Sequence, residues 1–113
     1  MNPVRAYHAH VYFDSDERSQ AALLRTELGR RFAVRVGSLH DSPVGPHPKA
    51  MFQVLIAPPD FPAIVAWLTQ HRRGLSVLLH PDSGDDLADH RDGATWLGES
   101  LPLDLSKLSA TAG

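Results

Sequence analysis

The sequence predicts an α+β fold in which strands and helices follow the order β-α-β-β-α-β. Three observations carry that expectation. Strand-forming runs fall at residues 7–14, 32–37, 51–57 and 75–79, each closed by turn or breaker residues. Two stretches between them, residues 15–31 and 61–72, repeat apolar residues at helical spacing. The order is that of the ferredoxin-like split βαβ pattern. Right-handed crossovers then put strands one and three in the centre and both helices on one face.

The first strand, YHAHVYFD, ends at Asp14-Ser15-Asp16, a stop signal. Alternation along it puts Ala9, Val11 and Phe13 on a core face and His8, His10 and Tyr12 on the other. Asp14 or Ser15 caps the first helix, whose stripe is Ala21, Leu24 and Leu28, widened by Ala22 and Leu23. Arg30 and Arg31 sit in its last turn, where cations are favoured. FAVRVG is the second strand. SLHDSPVGPHPKA, with three prolines, a glycine and two histidines, can be no regular element, and a loop this long in a compact domain is usually functional. MFQVLIA is the nearly all-apolar third strand. Pro58-Pro59-Asp60 stops it, and Asp60 starts the second helix, which buries Ile64, Val65, Trp67 and Leu68 and ends at Gly74. LSVLL is the fourth strand, followed at once by His80-Pro81.

One domain is expected over residues 1–113: a core of about 6–80, a C-terminal extension over 81–108 with a short helix at 85–91, and a disordered tail at 109–113. Residues 1–5 read as a frayed lead-in. Apolar residues of the extension, among them Leu87, Trp96, Leu97, Leu101, Leu103 and Leu105, need burial on the open sheet face or on a second chain. A homodimer is the expectation.

Composition removes several function classes. There is no cysteine, so disulfides, thiolate metal sites and a cysteine nucleophile are excluded. A net charge of −2, with Lys+Arg 11 against Asp+Glu 13, gives no footprint for nucleic acid. No apolar run reaches membrane-spanning length, and no leader is read in MNPVRAYHAH; a cytoplasmic location is expected. No nucleophile elbow, P-loop or dinucleotide fingerprint is present.

The seven histidines are the informative feature. His8 and His10, at i and i+2, share a strand face about 7 Å apart. Antiparallel pairing of strands one and four brings His80 beside them. His47, between prolines in VGPHP, is held by a rigid loop. These residues, His10, His47 and His80 with His8 adjacent, are the candidate metal ligands. A site of imidazoles without thiolates suits Zn, Fe, Cu or Ni. Three ligands with open positions make a catalytic centre rather than a structural one. Asp85, Asp86 and Glu99 are the carboxylates that could complete it. His40 reads as a strand end and His71 as a cation at a helix C-terminus. His90 is explained as well by an i,i+4 pair with Asp86 as by a site role.

The blocks YHAHVYFD, PVGPHP, HRRGLSVLLHP, SGDDLADH and WLGESLPLDLS resemble those of the DOPA 4,5-dioxygenase family over roughly residues 7–108. The resemblance implies an extradiol-type dioxygenase that cleaves the ring of L-DOPA or a related catechol with Fe(II) and O₂. Zn or Ni would be able to take the metal's place in a crystal. It carries His8, His10, His47 and His80 over as site residues, and His90 more weakly. Catalytic roles then fall to His8 or His90, for a catechol proton, and to Tyr12, which shares the histidine face. Arg72 or Arg73 would meet a substrate carboxylate. Two other readings use the same fold: a metal-independent monooxygenase of the dimeric α+β-barrel kind, and a non-enzymatic metal- or small-molecule-binding module.

Overall fold

The computed structural model describes residues 3–108. The fold is a five-stranded antiparallel sheet with two helices on one face. Its elements are β1 (Ala6–Tyr12), α1 (Arg18–Arg31), β2 (Arg35–Val36), β3 (Met51–Ile56), α2 (Phe61–His71), β4 (Val77–Asp82), α3 (Asp86–Arg91) and β5 (Thr95–Leu97). Strand order is β2-β3-β1-β4-β5, so β1 and β3 are central, as the split βαβ pattern requires. The expected tail at residues 109–113 lies outside the described residues.

Side-chain alternation builds two separate cores. Ala9, Val11, Phe13, Phe52, Val54, Ile56, Val77 and Leu79 from the strands pack against Ala21, Leu24, Leu28, Ile64 and Leu68 of the helices. The opposite face holds a smaller cluster of Tyr12, Met51 and Leu78. Val44, Ala94, Trp96, Leu101 and Leu103 cover it, so the chain's own extension closes part of the open face. Leu23, expected in the helix stripe, is 50 % exposed and lies off the buried face.

Several boundaries differ from the sequence reading, each for a local reason. α1 is preceded by a 3-10 turn at Ser15–Glu17, where the Asp14 N–H donates to Glu17 Oε1 at 2.9 Å. With Asp14 as the N-cap, this makes an Asp-x-x-Glu capping box and settles the cap on Asp14 rather than Ser15. β2 is only two residues long, and β4 runs on through His80-Pro81 to Asp82. A proline is tolerated there because β5 pairs only with Val77–Leu79, leaving Pro81 on a free edge. Arg5, expected to fray, is tied instead: its N–H donates to the Asp82 carbonyl at 2.9 Å and its guanidinium meets Asp82 Oδ1 at 2.9 Å. β5 was not foreseen; TWL is too short for alternation to be read. At the end of α2 Arg73 adopts φ 57° beside Gly74 at 74°, held by Glu27 at 2.7 Å and Gln20 at 3.0 Å.

Candidate metal centre

Four segments converge on the open face. His8 and His10 point there from β1 because they alternate with the buried Ala9 and Val11. In the β1–β4 ladder His8 stands directly opposite His80, and His10 opposite Leu78. The extension of β4 past Leu79 therefore puts His80 in regular strand geometry within the site.

His47 arrives from the long loop. A turn closed by its N–H to the Val44 carbonyl at 3.0 Å, with Gly45 at φ 53°, sets its position. The Pro46 carbonyl accepts Asp104 N–H at 2.8 Å, so the extension holds the loop down. His90 comes from α3, whose Asp85 cap accepts Ala88 N–H at 3.1 Å. Asp89, next to it, is buried and accepts both the Ser83 N–H and the Ser83 hydroxyl. That anchor fixes the helix against β4. Sequence reasoning did not single out Asp89; its signal was an acidic residue six positions after a serine in a turn, too common to select.

The rings are mutually close. Centroids of His10 and His47 are 4.2 Å apart, His80 and His90 4.0 Å, His10 and His80 5.0 Å, and His8 and His80 5.1 Å. Potential ligand nitrogens fall into two overlapping triples, His8–His10–His80 and His10–His47–His90, each within 4.8 Å of one another. All four expected ligands are thus brought together with His90. The expected combination of His10, His47 and His80 is divided between the two triples, with His10 common to both. No carboxylate joins either triple among the described residues.

Hydrogen bonds assign the tautomers. His80 Nδ1 lies 2.8 Å from the Pro81 carbonyl, and His90 Nδ1 lies 2.8 Å from the Asp86 carbonyl. A carbonyl only accepts, so both nitrogens carry a proton and both Nε2 atoms present lone pairs. His90 thus uses the Asp86 backbone, not its carboxylate. His10 Nε2 faces His80 Nε2 at 2.9 Å, and His10 Nδ1 is buried without a partner. Two nitrogens bound to one ion at about 2.0–2.1 Å each stand roughly 3 Å apart, so the facing pair fits a shared metal. The unmet nitrogen of His10 points the same way. A buried cluster of imidazoles could hold a metal ion.

Electrostatics favour the neutral form of His8, His10, His47 and His80. Burial, followed by the field of His90, pushes His80 down to about 3 and His47 down to about 4. Burial and the neighbouring imidazoles hold His10 well below its ordinary value, and burial lowers His8 against the pull of Asp82. Neutral imidazole is the form that binds metal. Tyr12 OH lies 2.7 Å from His47 Nδ1, and burial raises its pKa, so Tyr12 stays protonated. Its ring stacks near Trp96, with centroids 5.7 Å apart.

The two remaining histidines, read as non-site residues, lie elsewhere, as do the arginines and Glu99 that were site candidates. His40 bridges to Met51, and His71 stacks on Trp67 with its Nδ1 on the Trp67 carbonyl. Arg72 donates to the Leu75 carbonyl and Arg73 is engaged with Glu27, so neither addresses the cluster. Glu99 lines a separate polar cavity with Asp14, Glu17 and Lys49. No helix among the described residues is long and apolar enough to cross a membrane.

Comparison with known proteins places the chain in a family. A sequence model of the Dopa 4,5-dioxygenase family matches residues 7–107. An uncharacterized 21.2 kDa protein of Botryotinia fuckeliana is 38% identical over 113 residues, covering 89% of this chain and 62% of that protein. A DOPA 4,5-dioxygenase of Amanita muscaria is 32% identical over 114 residues, covering 93% of this chain and 50% of that protein. The chain therefore spans between half and two thirds of the length of these relatives. A crystal structure from Nostoc punctiforme, described as a "putative dioxygenase", superposes with a TM-score of 0.90 at 45% identity, covering 92% of this chain and 90% of that one.

Proposed function

The chain belongs to the DOPA 4,5-dioxygenase family, and from that membership and the histidine cluster we propose that it is a non-haem Fe(II)-dependent extradiol dioxygenase opening a catechol ring with O₂. The observation that carries the proposal is the meeting of five imidazoles from four segments around a buried His10–His80 pair whose Nε2 atoms are 2.9 Å apart.

In this proposal His8, His10 and His80 hold the ion. They lie on two paired strands, which fix ligands better than loops do. His8 then takes the third position that the sequence reading gave to His47. The Nδ1–H of His80 on the Pro81 carbonyl sets its tautomer and ring plane, the usual role of the outer hydrogen bond of a metal-binding histidine. Bound Fe(II) supplies Lewis acidity toward the catechol oxygens and the redox chemistry that O₂ requires. His90 accepts the catechol proton at Nε2, which its Asp86 hydrogen bond leaves unprotonated. Tyr12 positions the His47 ring, and the two close the side of the site beneath the loop. Burial of His10, His47 and His80 excludes bulk water from the ring-opening position.

The test is anaerobic loading with Fe(II), then O₂ uptake and absorbance of ring-fission product across a catechol panel. One metal per chain and O₂ consumption matched to catechol loss are expected. Metal binding without O₂ uptake on any catechol would remove the enzymatic reading and leave a binding module.

A further inference from the structure

Beside the histidine cluster runs a groove of about 370 Å³, within the range of small-molecule sites. Its lining includes Trp96, Leu101, Leu103 and Leu105 together with His90 and Arg91. His90 belongs to both the groove and the cluster, so the two are continuous. We propose that this groove receives the ring substituent of the catechol, and that the substituent is an uncharged alkyl or aryl group rather than an amino-acid side chain. The inference rests on the dioxygenase reading of the adjoining cluster.

Three features select that chemistry. The walls come mainly from aliphatic and indole side chains of the C-terminal extension. No carboxylate lines the groove, so an ammonium group would enter without a counter-charge. The single cation, Arg91, already holds Asp92 through two nitrogens, at 3.1 and 3.0 Å. A zwitterion would thus shed its hydration with little in return, whereas each methylene moved from water to the groove strengthens binding about fourfold. The carboxylates that act on the cluster, Asp82, Asp86 and Asp89, do so at His8. A substrate carrying an ammonium group would have to be read from that side instead.

The groove is also the surface that separates this inference from one about assembly, because apolar half-buried leucines suit a second chain as well as a substrate. Leu103→Ser and Leu105→Ser change the groove and replace no histidine. Neither side chain is fully buried, and two variants guard against the failure of either one to fold.

The experiment is anaerobic calorimetry of the Fe(II)-loaded protein with 4-methylcatechol, 4-propylcatechol and L-DOPA, followed by kcat/KM for each in air. Propylcatechol should bind at least tenfold more tightly than methylcatechol, and L-DOPA more weakly than either. Both serine variants should shrink the propyl-to-methyl ratio severalfold. Preferential binding of L-DOPA, or no dependence on chain length, would overturn the inference and leave the dioxygenase reading standing. Binding of no catechol at all would overturn both. Unchanged selectivity in the serine variants with a lower sedimenting mass would overturn it and give the groove to a second copy of the chain.

Discussion

Acidification should destabilise the metal-free protein by an amount set by its buried histidines. In the unfolded chain a histidine titrates near 6.5. In the fold, burial holds His47 neutral to about pH 4 and His80 to about pH 3. Both values are depressed, so their contribution is fully present above pH 6.5 and is lost as pH falls toward 3–4, where the unfolded state binds protons the folded state refuses. Between pH 7.5 and 5.0 the linkage amounts to about 2 kcal/mol for each of the two. Their sum is about 4 kcal/mol; mutual repulsion in the cluster reduces it, because the first proton to enter meets no other charge, and the depressed His10 adds to it. Domains of this size have only about 5–15 kcal/mol in all, so the urea midpoint should fall by roughly 1–3 M. Urea melts at half-unit steps of pH, on wild type and His80→Gln, measure the effect; the variant should lose about 2 kcal/mol of the pH dependence. A midpoint that stays flat to pH 5.0, or a variant that keeps the full dependence, would show that the cluster is already wet or protonated, and the burial argument would fail.

Four further outcomes are expected. His10→Ala and His80→Ala should abolish Fe(II)-dependent turnover and stoichiometric metal uptake while retaining the native circular dichroism spectrum; full activity in both would displace the assigned centre. Saturation with Zn(II) at about 100 times its Kd should raise stability by about 2.7 kcal/mol in wild type and not in His10→Ala, as read by urea melts at pH 7.5. Tyr12→Phe removes the partner of a buried histidine nitrogen, 2.7 Å away, and should cost about 1–3 kcal/mol; an unchanged melt would show the bond to be dispensable. A homodimer should sediment at twice the 12.4 kDa chain mass at micromolar concentration, and a single species at the chain mass would refute it.

The core was readable because period-2 alternation and helical spacing act on long runs. MFQVLI sets its buried and open faces unaided, and the observed register places each as expected. Short elements escaped because they are tertiary effects. TWL becomes β5 only because Leu78 and its neighbours offer a free strand edge. β2 shrinks to two residues because residues 32–34 stay outside the ladder, and past Gly37, whose N–H still meets the Gln53 carbonyl at 2.7 Å, a bridge joins His40 and Met51. Local propensity carries no record of which edge is vacant.

The site was readable to the level of a face, and the reason lies in what register can and cannot transmit. Antiparallel pairing turns two sequence positions into one cross-strand pair, so the opposition of His8 and His80 follows once β1 and β4 are neighbours. Partition of the five imidazoles into triples follows from finer causes. It depends on which ring nitrogen is protonated, and the Pro81 and Asp86 carbonyls place those protons on His80 and His90. It depends also on where the 44–47 turn and α3 are pinned, by Asp104 on Pro46 and by Asp89 on Ser83. Both pins involve the extension after β4. Residues 81–108 therefore do more than cover the sheet: they position His47 and His90 over the strand histidines, and they supply the walls of the adjoining groove. On the proposed dioxygenase reading, a site whose strand half is set by the core and whose other half is set by the extension can keep its histidines while its substrate changes. Within one family, residues 81–108 are accordingly where differences in catechol preference should concentrate.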